Sequence, residues 1–171
     1  RVFSVFFLFA FAQGAMLGRL PDIQQHLGLN AGNLGLTLIG AAIGSLVSLS
    51  IGAHWVEKMG ARTTAMVTLF GTAFCFALVP WLPNAYLVFG TLMVGGFLAG
   101  LLEINLNVQA DRIEAQMGKR VMNRAHGMWS LGFFVTALLS AGARQIQLPV
   151  TVHTAIALAI VLVVGFVMLR E

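Results

Sequence analysis

"LGLTLIGAAIGSLVSLSIGAHWVEKMGAR", residues 34–62, decides the fold. Residues 34–55 hold no Asp, Glu, Lys or Arg. A helix needs about 20 mostly apolar residues to cross the hydrocarbon core of a bilayer. The run shows no strand alternation, and in lipid the backbone must satisfy its own hydrogen bonds, so the segment reads as a spanning helix. Gly40, Gly44, Ser48 and Gly52 recur every four residues on it. Small residues at that spacing let another helix approach closely and let faces slide. The run ends in Glu57, Lys58 and Arg62, in a very short loop.

Five more segments read the same way: about 2–20, 64–82, 85–109, 122–145 and 150–169. Leu20-Pro21-Asp22, Pro80 to Asn84, Arg112 to Arg124 and Gln145 to Pro149 separate them. Small residues recur on the first helix (Ala10, Gly14, Gly18) and the fourth (Gly96, Gly100). The chain is 58% hydrophobic and 9% charged, whereas a soluble domain carries about a quarter charged residues. The expectation is an all-α membrane protein of six transmembrane helices, one bundle over 1–171. "SIGAH" at 50–54 and "SAGAR" at 140–144 each end the middle helix of a three-helix set. That suggests a 3+3 repeat, the plan of many secondary transporters.

Orientation follows from Lys and Arg in short loops. With the N-terminus inside, Arg1, Lys58, Arg62, Arg112, Lys119, Arg120, Arg124 and Arg170 fall on the inner side, and Arg19 and Arg144 on the outer. Both ends are expected in the cytoplasm. The net charge of +4 is spread through loops and does not point to nucleic acid. The one cysteine, Cys75, allows no internal disulfide and reads as a small buried hydrophobe. No cofactor or metal is implied.

The polar residues inside the oily segments carry the chemistry. Glu103 is costly at membrane depth and so faces a cavity or a partner. Burial favours the protonated form of a carboxyl, and a carboxyl that gains and loses a proton can drive a change of bundle opening. Asn107 lies one turn on, on the same face; Asn105 and Gln109 form a second pair on another face. Such amides suit hydroxyl-bearing solutes. Gln13 lies midway along the first helix and either pins neighbouring helices or faces the cavity. Arg19, near the outer end, is expected to snorkel to the interface. His126 and Ser130 share a face, with Trp129 between them as a stacking plate. His54 and His153 read as interfacial. Glu57 ends its helix where its charge opposes the dipole, which suits a gate or a helix junction. No Walker-type loop, H-E-x-x-H or G-x-S-x-G motif occurs, so neither an ATP motor nor an enzyme is expected.

"AHWVEKMGARTT", 53–64, resembles the signature loop between the second and third helices of the major facilitator superfamily, with Ala53, Glu57, Lys58, Gly60 and Arg62 in its pattern. Two departures are plain: the leading glycine is one position early, at Gly52, and the acid is Glu instead of Asp. "FFLFAFAQGAMLGRLPDIQQHL" (6–27), "GLLEINLNV" (100–108) and "NRAHGMWSLG" (123–132) resemble the first, fourth and fifth helices of the fucose-permease-like branch. The chain also resembles uncharacterised bacterial inner-membrane members of the superfamily.

The resemblance implies the N-terminal half of a twelve-helix carrier in a bacterial-type inner membrane, with a second six-helix half absent here. It implies alternating access, a small polar solute with sugar as the candidate, and proton coupling at Glu103. His126 takes the place of a sugar-facing Gln. Leu17 stands where that branch has an Asp and Arg19 where it is apolar, so fucose itself is not implied. Two other readings stand beside this one: a non-transporting sensor or scaffold, and a half-size carrier that pairs with itself.

Overall fold

The structure, a computed structural model, describes residues 1–170; Glu171, the last residue of the expected bundle, lies outside them. The described residues form α1 (Val2–Leu17), α2 (Leu20–His26), α3 (Ala31–Met59), α4 (Ala61–Leu78), a 3-10 turn (Val79–Trp81), α5 (Ala85–Met117), α6 (Met122–Gln145) and α7 (Val150–Leu169). No strand occurs among them.

Local chemistry sets the ends. Asn30 and Asn84 cap α3 and α5, each side chain accepting from a backbone N–H three residues on, at 2.8 and 3.0 Å. Such caps satisfy donors that the first turn leaves free. Gly60 separates α3 from α4 at φ 78°, and Gly118 ends α5 at φ 61°; a side chain there is strained. Glu114 reaches past that turn and caps α6, its carboxylate accepting from the Val121 and Met122 N–H groups at 2.7 and 3.0 Å.

The expected 34–55 and 64–82 widen toward each other until only Gly60 separates α3 from α4, which puts Glu57 and Lys58 in α3 and Arg62 in α4; two other boundaries also differ from expectation. The first segment breaks at Gly18-Arg19 and continues as α2, bent by 41°. Pro21 stands in the first turn of that helix, where its missing N–H costs nothing. The fourth segment runs on to Met117, because Asp111, Arg112 and Glu114 suit a helix that has left lipid. Its 33 residues measure about 50 Å at 1.5 Å each, more than the ~30 Å hydrocarbon core.

Four helices are long and apolar enough to cross a membrane: α3, α4 with its 3-10 extension, α5 and α7. The bent α1–α2 pair makes a fifth if taken as one broken span. At 24 residues α6 has the length, but Asn123, Arg124 and His126 in its first turns set it apart from these.

Two helix pairs pack most closely, α3 on α5 and α1 on α6. Gly40 lies against the Phe89 carbonyl, Gly44 between Met93 and Phe97, and Ser48 against Gly100. In the other pair Gly132 lies against the Phe7 carbonyl, Gly14 against Thr136, and Ser140 against Gly18. The spacing Phe-x6-Gly-x3-Gly occurs in both α1 and α5, and small residues every four positions face it in both α3 and α6. The two seams therefore share one packing register. It matches Ser48 with Ser140, whereas the SIGAH/SAGAR likeness matches Ser50 with Ser140 and is two positions out. Ser50 and Gly142 are exposed. The helices alternate in direction, with α4 against both α5 and α7. The α3–α4 turn thus lies at one end of the bundle and the α6–α7 turn at the other. Cys75 is buried, beside Gly95.

Candidate functional site

α1, α3, α4, α5 and α6 enclose a cavity of about 440 Å³, within the ~300–1,000 Å³ range of small-molecule sites. Gln13, Glu103, His126 and Trp129 all line it. Residues of three helices far apart in sequence thus share one space. Phe6, Phe9, Phe76 and Ser45 complete the wall, with small residues of the α3–α5 seam, Gly96 and Ala99 among them. Those aromatics were not singled out from the sequence: in a chain with 13 Phe, composition does not mark which ones face a cavity.

The polar groups differ in setting. Gln13 is half-buried, and its Oε1 is fully enclosed without a hydrogen-bond partner. An unpaired buried acceptor costs about 1–3 kcal/mol. Glu103 and His126 are exposed, so this chain alone does not supply the burial expected for Glu103. The His126 ring meets Phe6 edge-on at 5.2 Å, and Trp129 stacks on Phe133 at 5.5 Å, which holds the indole as a rigid plate. Glu103 is the one carboxylate on the wall, and no Lys or Arg lines it. Such a wall offers hydrogen-bond acceptors, aromatic faces and one site for a proton or cation.

Other expected residues lie elsewhere. Asn107 is half-buried with an enclosed, unpartnered Oδ1, and is not among the residues on the cavity wall. Ser130 is exposed and its hydroxyl donates to the His126 carbonyl on its own helix at 3.1 Å. Asn105, expected to pair with Gln109, instead donates from Nδ2 to the Ala61 carbonyl at 2.9 Å. Gln109 borders a second pocket of about 260 Å³ with Glu57, Gly60 and Arg112.

In the signature loop Glu57, Lys58 and Arg62 are exposed. Among the described residues Glu57 makes no ion pair. The junction is held instead by Asn105 and by Arg62, whose guanidinium donates to the Arg170 carbonyl past the end of α7.

Arg19 does not snorkel. It is 3% exposed, bonds Asp22 through Nε at 2.8 Å and donates through Nη2 to the Leu148 carbonyl at 2.8 Å. Arg144 approaches the same Asp22 oxygen at 3.2 Å. His153 is also buried within the bundle; His54 is exposed. Asp22 lies close enough in sequence to Arg19 to suggest a pair, but Leu148 is 129 residues away and nothing local announces it.

A family model for the Major Facilitator Superfamily matches residues 2–171. Among curated proteins the chain is 27% identical over 140 residues to an uncharacterised transporter of Sinorhizobium fredii, covering 82% of this chain and 37% of that protein. It is 28% identical over 134 residues to an uncharacterised MFS-type transporter of Yersinia pestis, covering 77% and 34%. It is 26% identical over 127 residues to the mouse sodium-dependent glucose transporter 1A, covering 74% and 30%. The chain thus spans about a third of the length of these relatives.

Proposed function

The chain belongs to the Major Facilitator Superfamily, and from that premise we propose that it is the N-terminal six-span half of a proton-coupled carrier for a small polar solute, a sugar first among the candidates. A second six-helix half closes the cavity, and the two halves rock about it in alternating access. The observation that carries this reading is the meeting of Gln13, Glu103, His126 and Trp129 on one cavity wall.

Each group has a task. Gln13 is the amide of the wall that meets a solute hydroxyl. The rigid Trp129 plate suits the apolar face of a sugar ring. Glu103 takes the proton, and its exchange accompanies closure of the second half over the cavity. Asn107 and Ser130 lie beyond the wall in this arrangement and would join only as the cavity changes shape. Glu57, Lys58, Gly60 and Arg62 form the inner gate, with Arg62 fixing α4 to α7.

The six-span, 3+3 reading is supported by the shared register of the two seams. Exchanging α1, α3 and α4 with α5, α6 and α7 carries the α1·α6 contact onto α5·α3 and the α1·α7 contact onto α5·α4. On this reading α6 spans as well, its polar first turns standing at the inner interface and in the cavity. Basic residues sort to the end that holds Arg62 and Arg170, which supports the reading that both ends of the chain face the cytoplasm of a bacterial-type inner membrane.

One relative favours a variant of the coupling. The mouse protein's name carries both glucose and sodium, so sodium at Glu103 is the rival to a proton. Uptake of labelled monosaccharides by the full-length protein separates the two. Accumulation that a protonophore abolishes and sodium removal spares is expected. Accumulation that follows sodium replaces the proton, and no uptake of any neutral sugar contradicts the solute class.

A further inference from the structure

Two turns join the second and third helices of the two triplets, and each is held by one buried polar side chain. Asn105 of α5, 1% exposed, donates to the Ala61 carbonyl at the α3–α4 turn. Arg19, just past α1 and 3% exposed, donates to the Leu148 carbonyl at the α6–α7 turn. The two turns lie at opposite ends of the bundle. One donor belongs to the leading helix of the other triplet and the other follows directly on it, and the shared seam register makes α1 and α5 equivalent.

The match is of role rather than of residue. The register sets Arg19 against Leu101, one helical turn before Asn105. α1 ends at Leu17 and the chain turns aside into α2, so no residue one turn later lies on the same line. A long guanidinium makes up that turn, while the short amide of Asn105 serves where the helix continues.

Packing alone does not explain these residues. Asn105 Oδ1 and Arg19 Nη1 are both enclosed without a partner, so each side chain keeps a backbone carbonyl paired while leaving an atom of its own unpaired. What the polar arms add is direction. Asn105 is two positions from Glu103, about 200° around the helix. The face tied to the turn is therefore opposite the face that lines the cavity. Arg19 lies two residues past the end of α1, so its bond holds the C-terminal end of the helix that carries Gln13. We propose that Asn105 and Arg19 are positioning residues, a tether at each end of the bundle, which fix the rotation of α5 and α1 and so aim Glu103 and Gln13 into the cavity. The functional weight of that aim rests on the cavity being the transport site.

The test reads geometry without needing transport. In the full-length protein with its other cysteines replaced, the thiol of a Glu103→Cys variant is labelled by a water-soluble maleimide in detergent. Adding Asn105→Leu is expected to slow labelling severalfold, and Asn105→Gln, which keeps a donor, to restore most of the rate. A Gln13→Cys thiol is expected to respond in the same way to Arg19→Met against Arg19→Lys. Where Asn105→Leu does not fold, Asn105→Ala removes the donor without adding volume and decides the point. Unchanged labelling rates in the donor-less variants overturn the tethers. That result is distinct from a failure of the transport reading, which shows in uptake and leaves these labelling rates as they are.

Discussion

Gly132 of α6 lies against the carbonyl oxygen of Phe7 in α1, where an added Cβ would stand 2.5 Å away. Backbone oxygen cannot give way as a side-chain tip does. Gly132→Val is therefore expected to destabilise the bundle by about 1–3 kcal/mol, the usual range for overpacking. Gly142→Ala, with nothing within 4 Å of its added Cβ, serves as the neutral control. Thermal unfolding of both variants in the same detergent checks the difference. Equal melting points would mean that the α1·α6 seam is not tight.

The buried guanidinium of Arg19 carries the largest stability effect expected here. Arg19→Met removes two hydrogen bonds from a residue 3% exposed and strands the Leu148 carbonyl. Breaking a buried ionic pair costs about 3–5 kcal/mol, reduced here because Asp22 keeps Arg144 and is partly exposed. Arg144→Ala touches an exposed pair and is expected to cost under about 1 kcal/mol. Unfolding midpoints of the two variants should separate clearly.

Arg19 also marks the limit of what the sequence reveals. Its partner Leu148 is brought near only by the packing of α1 on α6, which a linear reading does not supply. The helices themselves were legible because apolar runs and polar breaks alternate at membrane length. The bounds 122–145 and 150–169 match α6 and α7, since a cap at one end and Pro149 at the other interrupt the chain sharply. The overrun of α5 was not legible, because lipid thickness limits the apolar run and not the helix. Glu103, Gln13, His126 and Trp129 stood out as polar or amphipathic groups in oily surroundings, and the fold brings them to one wall. Ser130 and Asn107 stood out for the same reason but face elsewhere, because sharing a helical face does not guarantee reaching the cavity.

Glu114 straps the α5–α6 turn to the first turn of α6. Glu114→Ala frees two backbone donors, so amide exchange at Val121 and Met122 is expected to accelerate, with Glu114→Gln between it and the parent. Hydrogen–deuterium exchange of peptides covering 117–124 reads this directly. Unchanged exchange in Glu114→Ala would mean that the cap does not order the turn.

Gln13 lines the cavity wall, and its Oε1 is enclosed and unpartnered in this arrangement. Gln13→Leu is expected to weaken solute binding by about 1.4 kcal/mol, a tenfold rise in half-saturation, with the maximal rate less affected. Initial-rate uptake against concentration gives both values. A lower maximal rate with unchanged half-saturation would move Gln13 from solute binding to the rocking step.

The central claim is that Glu103 carries the coupling proton, and Glu103→Gln tests it most directly in the full-length carrier. Uptake driven by a proton gradient and counterflow exchange of the same solute are measured side by side in proteoliposomes. The account predicts that gradient-driven accumulation is lost while exchange persists, because the neutral amide holds the protonated form that permits rocking with solute bound. Undiminished gradient-driven accumulation in Glu103→Gln would contradict it.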